Sequence, residues 1–287
     1  MSLLFPTVIL DPFEKYRPFP ENPTNLIEAH WHEIAASFAF YFVVQNFTRP
    51  VAKAFMKDKY TLLSKGVQAD FDVHVTSMVQ CVVSIVLLVI HLGNPHFQNR
   101  LNDPVGSLLG TTPFGAMTCA VTTGYFIWDL YVCLRYYSIF GPGFLFHAIA
   151  AMFAFACGFI PYCQPWAGAF LTFELSTPFV NLNWFASHLP AGTFSEKFIV
   201  INGLSLIIVF FFVRIVWGLY AISQMAVDML SSLDQVNKLV PLVILSTNSL
   251  LNVLNMYWFY KMIRIAKKKA RGVKSTRQAA KEAEKIE

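Results

Sequence analysis

Apolar and polar positions along this chain come in blocks. Long apolar runs nearly free of formal charge are separated by short polar connections, and about 20 such residues in a helix cross the hydrocarbon core of a bilayer. Seven runs fit: residues 30–48, 69–92, 116–138, 143–160, 166–186, 198–220 and 240–260. Backbone polar groups in hydrocarbon must be satisfied within the segment, so the runs should be helices. The fold class expected is therefore all-α, a polytopic membrane protein with about seven transmembrane helices. In the first run the apolar core, Ile34 to Val44, is short and is entered through His30, Trp31, His32 and Glu33. An interfacial or partly buried helix is the alternative there. Met1 to Leu10 lacks a basic start and is broken by Pro6, unlike a signal peptide, and Pro12 to Pro23 reads as a Pro-rich surface segment.

Polar residues within the runs recur at helical spacing. Asp70, His74, Ser77 and Cys81 share one face of the second run, and Thr118, Thr122, Tyr125 and Asp129 share one face of the third. Glu174, Thr177, Asn181 and Trp184 repeat the pattern in the fifth, and Asn248, Asn252 and Asn255 in the seventh, while the fourth adds His147 and the sixth Arg214. Polar side chains are costly in hydrocarbon and face the bundle interior or a wet cavity. These stripes predict a polar-lined intramembrane pocket built from Asp129, His147, Glu174, Thr177, Asn181, Arg214, Asn248 and Asn252. The competing reading is packing glue between helices, including a structural ion pair between Arg214 and Glu174. His74 and His91 read as packed histidines.

Composition agrees with the membrane reading: 55% of 287 residues are apolar and 14% are charged, against about 25% charged in soluble domains. Charge sets the orientation, because cytoplasmic loops carry the excess of Lys and Arg. Arg49, Lys53, Lys57, Lys59 and Lys65 follow the first run, and a denser group from Lys261 to Arg277 follows the last. The loops at 94–115 and 221–239 hold only Arg100 and Lys238. The N-terminus is thus expected outside or in a lumen and the C-terminus in the cytosol. The net charge of +5 follows from this topology, and no nucleic-acid partner is expected. Residues 1–65 form an N-terminal segment with the first span, 66–267 the main domain, and 268–287 a charged cytosolic tail read as a solvated helix extension. Five cysteines without paired spacing argue against a disulfide framework or zinc site.

Candidate chemistry centres on Asp129 and His147. The Gly141-Pro142-Gly143 turn makes the third and fourth runs antiparallel neighbours, which brings the carboxylate and the imidazole toward the same end. A histidine with a nearby carboxylate handles protons, or only stabilises the bundle. No lysine lies between Lys238 and Lys261, which excludes a retinal-type Schiff base. Di-iron chemistry needs clustered histidine boxes, whereas His30 and His32, two apart, point about 200° from one another. No metal site is expected.

The run GYFIWDL at 124–130, the histidine of FHAIA at 146–150 and ELSTPFVNLNWF at 174–185 resemble the TLC-domain superfamily, most closely its TLC domain-containing protein 4 subgroup. The resemblance covers about Gly66 to Lys267. It implies a six-helix core plus an N-terminal span, enclosing a cavity for an acyl chain in the endoplasmic reticulum or a related membrane. It also implies ancestry shared with ceramide synthases, which transfer an acyl group from acyl-CoA to a sphingoid amine with a pair of adjacent histidines and downstream aspartates. Asp129 and His147 match that pattern. Phe146 stands at the first histidine, and Glu174, Ser176 and Thr177 occupy the helix of the later aspartates. Three readings follow. The first is a lipid-binding or lipid-homeostasis protein whose partner is a membrane lipid or acyl chain. The second is an acyl-CoA-dependent acyltransferase with His147 and Asp129 as catalytic residues, and the third a small-molecule or lipid transporter. No cofactor is expected, and acyl-CoA would enter only as a substrate.

Overall fold

The computed structural model describes residues 7–283, and beyond Lys269 only the side chains of residues 271 and 272. The readings of Met1 to Pro6 and of the tail's last four residues lie outside this range.

Nine helices carry the architecture among the described residues: α1 (Leu26–Met56), α2 (Lys65–His91), α3 (Pro113–Arg135), α4 (Tyr137–Ala156), α5 (Ala167–Leu171), α6 (Thr177–His188), α7 (Glu196–Phe210), α8 (Trp217–Leu230) and α9 (Leu239–Ala283). Single turns at Asp58–Thr61, Pro95–Gln98 and Gly106–Leu109 sit in the connections. Local chemistry explains the starts. Asn25 caps α1 by accepting from the Glu28 N–H at 2.9 Å, while the Glu28 carboxylate accepts from the Thr24 N–H at 2.8 Å. Ser64 and Ser195 cap α2 and α7 in the same way. Thr112 caps α3 ahead of Pro113, whose missing N–H costs nothing at a first helical position.

Five segments are long and apolar enough to cross a membrane: Lys65–His91, Pro113–Arg135, Tyr137–Phe159, Glu196–Leu230 and Leu239–Lys269. The other two expected spans depart from that standard for different reasons. The 31-residue α1 has the length but is too polar, with His30, Glu33, Gln45 and Thr48 buried along it. The run at 166–186 is broken into α5, a 3-10 segment Thr172–Ser176 and α6, with Pro165 and Pro178 at the starts of helical segments. Both still take places in the bundle, α1 against α2 and α3, and the broken segment against α2 and α7.

Contacts fix the directions. Ser37 donates to the Val121 carbonyl, Tyr41 packs on Tyr125, and Trp128 donates to Gln45, so α1 and α3 run parallel. Tyr41 also donates to Gln80, and Arg49 pairs with Asp72, so α2 runs against them. At Gly124 the two parallel helices nearly touch. A Cβ there would strike the Ile34 carbonyl oxygen and lie 2.6 Å from the Ser37 Cβ. Helix α4 is kinked within its first turns at Gly141, whose φ of 71° lies in the left-handed region that glycine tolerates. Helices α7 and α8 are continuous through a π-helical turn at Phe211–Val216. The alternation places the Arg49–Lys65 segment and the Lys261 end of α9 at one end of the bundle. At the other end Arg100 holds Asp228 at 3.1 Å, and Ser107 donates to the same carboxylate at 2.9 Å. All five cysteines are free.

Candidate functional site

Two chambers lie inside the bundle and meet at His147, Glu174 and Arg214, which line both. One opens toward the Lys261 end, with about 1230 Å³ of void including its mouth, and is walled in part by His74, Ser77, Asp129, Thr177, Asn181 and Lys261. The other runs toward the opposite end with about 890 Å³ of void including its opening, between Phe126, Ala151, Phe155, Phe170, Met225 and Leu251. Ligand sites are largely apolar with a few placed polar groups. Both linings are mainly apolar; the first (the polar chamber) adds the charged groups Asp129 and Lys261 to the shared three, whereas the second (the apolar chamber) adds only uncharged side chains, Gln80, Ser84, Thr122, Asn248 and Asn255 among them.

The waist is built by α4, the α5–α6 segment, the π-helical turn and α9. Arg214 is brought inward by the π turn, where an extra residue changes the phase of the helix. Its Nε donates to Ser176 Oγ at 2.9 Å, Nη1 to Asn255 Oδ1 at 3.4 Å and Nη2 to Thr177 Oγ1 at 3.5 Å. Thr177 in turn donates to Glu174 Oε2 at 2.7 Å. Arg214 and Glu174 therefore do not pair directly; one hydroxyl relays between them. The guanidinium also lies over the Phe173 and Phe210 rings, 5.9 and 5.3 Å from their centroids.

Seven of the eight expected pocket residues line a chamber. Asn252 does not: its amide nitrogen donates to the Asn248 carbonyl at 3.1 Å, and its oxygen faces Gly218. Asn248 lines the apolar chamber while donating to the Ile244 carbonyl. Asn255, third in that stripe, reaches Arg214. Asp129 and His147 share the polar chamber but no hydrogen bond. Asp129 accepts only a long contact from Cys133 at 3.9 Å, and the His147 ring meets Phe126 and Trp258 edge-on.

The carboxylate and imidazole that do come together are Asp70 and His74, four apart on α2. His74 Nε2 is 3.5 Å from Asp70 Oδ1, and Nδ1 donates to Asn181 Oδ1 at 2.7 Å. The Asn181 amide nitrogen donates to Ser77 at 3.2 Å, which fixes its orientation. Nδ1 thus has its acceptor, while Nε2 faces Asp70 Oδ1 at ion-pair distance without a hydrogen bond to it. Trp184 stacks on His74 at 4.5 Å and donates to Asp70 Oδ2 at 2.8 Å. These residues were visible as stripes on two runs, but which stripes face each other is a tertiary fact.

A helical bundle enclosing a two-part cavity, with these motifs at its waist, defines a polytopic membrane protein of the TLC type. The sequence profile of the TLC domain matches residues 70–264, and the chain belongs to this family. It is 40% identical over 268 residues to topoisomerase I damage affected protein 4 of Saccharomyces cerevisiae, covering 92% of this chain and 93% of that one. An uncharacterised TLC domain-containing protein of Schizosaccharomyces pombe is 35% identical over 86% of this chain and 82% of its own. Human TLC domain-containing protein 4 is 34% identical over 61% of this chain and 64% of its own. No solved structure matches the chain significantly.

Proposed function

We propose that this protein binds a single-chain or double-chain membrane amphiphile within the bundle and acts in membrane lipid homeostasis. The observation that carries the reading is the pair of chambers joined at His147, Glu174 and Arg214. An acyl chain would fill the apolar chamber, where burying each CH₂ contributes about 0.8 kcal/mol. The head group would sit in the polar chamber among Asp129, Thr177, Asn181 and Arg214, with Lys261 at the mouth. The family resemblance supports an endoplasmic reticulum membrane, and the distribution of Lys and Arg supports a lumenal N-terminus and a cytosolic C-terminus.

The test is native mass spectrometry of gently purified protein. A co-bound lipid is expected, and Ala154→Trp, which sets an indole into the apolar chamber, should lose it while the protein stays monodisperse. Wild type devoid of lipid, or a filled variant carrying the same lipid at the same occupancy, would overturn the reading. Acyl transfer is the less favoured alternative, because the expected His147–Asp129 pair makes no hydrogen bond.

A further inference from the structure

The polar entry to α1 holds a cluster that lies apart from both chambers. His30 and Glu33 are three residues apart, so their side chains share one helix face, and they are 5% and 3% exposed. The N-terminal segment folds back over them. The Ile9 carbonyl accepts from the Phe114 N–H at 3.0 Å, Arg17 donates to the Pro20 and Ala29 carbonyls, and Trp31 Nε1 donates to the Phe19 carbonyl at 2.7 Å. This return sets Asp11 against the helix. Asp11 Oδ2 lies 3.5 Å and Glu33 Oε2 2.8 Å from His30 Nδ1.

Two carboxylates thus share one imidazole, with side chains of Asp11 and Glu33 only 1% and 2% exposed. Asp11 Oδ2 and Glu33 Oε1 are both buried without a hydrogen-bond partner. With all three groups ionised the cluster carries one net negative charge, which a bound cation would balance in place of a proton. One ligand atom from each of the three residues lies within 4.8 Å of the others.

We propose that Asp11, His30 and Glu33 are the protein ligands of a divalent transition-metal site of the Zn²⁺ class, in which the cation clamps the N-terminal segment to α1. An imidazole nitrogen with two carboxylates suits Zn²⁺ and disfavours Mg²⁺ or Ca²⁺, which take all-oxygen shells. Bonds of about 2.0–2.1 Å at tetrahedral angles put ligand atoms about 3.4 Å apart; the 3.5 Å between His30 Nδ1 and Asp11 Oδ2 fits this, and Glu33 Oε2, 2.8 Å from His30 Nδ1, draws back when the proton between them leaves. The cation takes the place of the proton that His30 Nδ1 now shares with Glu33, and that proton leaves to solvent. Asp11 is already oriented, since its second oxygen accepts from the Phe13 N–H at 2.7 Å. Sequence spacing pointed away from a metal here because His32 is the wrong second histidine; the remaining ligand arrives from 19 residues upstream of His30 in the form of Asp11.

The experiment uses the full chain, stripped with a chelator and titrated with Zn²⁺ against a chromogenic competitor, with Mg²⁺ in parallel. One Zn²⁺ per chain and a higher melting temperature on its addition are expected, with no response to Mg²⁺. Asp11→Asn, outside the helical bundle and of unchanged size, should weaken binding at least about tenfold, the least that loss of a supporting contact costs in metal affinity. Glu33→Gln should do the same, and His32→Ala should bind as wild type does. Failure of the folded wild type to take up Zn²⁺ overturns the proposal, and this readout needs no variant to fold. Uptake unchanged by Asp11→Asn and Glu33→Gln, or lost in His32→Ala alone, overturns it as well.

Discussion

Thr177 shows how one hydroxyl can set the character of a buried site. It accepts from Arg214 and donates to Glu174, so the charges at the waist are coupled without being in contact. Thr177→Val keeps the shape and removes both bonds, leaving a carboxylate oxygen and a guanidinium N–H short of a partner. A loss of about 1–3 kcal/mol is expected, read as a lower melting temperature in detergent, with Thr177→Ser close to wild type. Equal melting of both variants would show that the relay carries no energy. His147 leads to a second prediction. It faces two aromatic edges and no carboxylate within hydrogen-bond reach, so purified wild type is expected to leave acyl-CoA unhydrolysed and untransferred. Turnover lost in His147→Ala with lipid occupancy intact would replace lipid binding by acyl transfer. Adding the second histidine would not restore a pair within the cavity, since Phe146 is 38% exposed on the outer face of α4.

Among the elements, the sequence disclosed which faces are polar more readily than how the helices deviate from regularity. Stripes at steps of three and four placed Asp129, Glu174 and Asn181 on inner faces, because helical periodicity is local. The π turn at Phe211–Val216 and the break at Thr172–Ser176 have no comparable local sign. For the broken segment only the flanking Pro165 and Pro178 hint at an interruption. The joining of Asp70 to His74 was likewise in the spacing, but their meeting with Asn181 and Trp184 depends on how α2 and α6 are set together. Removing one residue from the π turn, for instance Phe212, should restore α geometry and swing Arg214 about 100° out of the waist. Bound lipid should fall, measured by native mass spectrometry, and retention of full occupancy would show that the turn does not position the site. Gly124 gives a packing test. Gly124→Leu forces α1 away from α3 and is expected to cost about 1–3 kcal/mol as an overpacked contact, whereas Gly203→Leu, with nothing within 4 Å, should melt like wild type.

For the whole molecule, alternating helix directions gather the Arg49–Lys65 segment and the Lys261 end of α9 at one end of the bundle, opposite Asp228 and its partner Arg100. A glycosylation acceptor placed in the N-terminal segment is expected to be modified, and one placed after Lys269 is not. Modification of the tail would reverse the orientation, and modification at both ends would require an even number of crossings. Overall class was legible because the amount of apolar surface is a bulk property that no folding detail alters. The division of the cavity into two chambers was not, because it depends on where Arg214 and Glu174 lie in depth relative to each other. Helix α9 has a mechanical consequence. Its 31 residues from Leu239 to Lys269 measure about 46 Å at 1.5 Å per residue, against a hydrocarbon core of about 30 Å. Trp258, edge-on to His147, is therefore part of the same stiff rod as the basic residues outside the core. A small tilt imposed by whatever occupies the chamber is multiplied along that lever, so cargo state would be displayed at the membrane surface as a displacement of the Lys267–Lys269 tip.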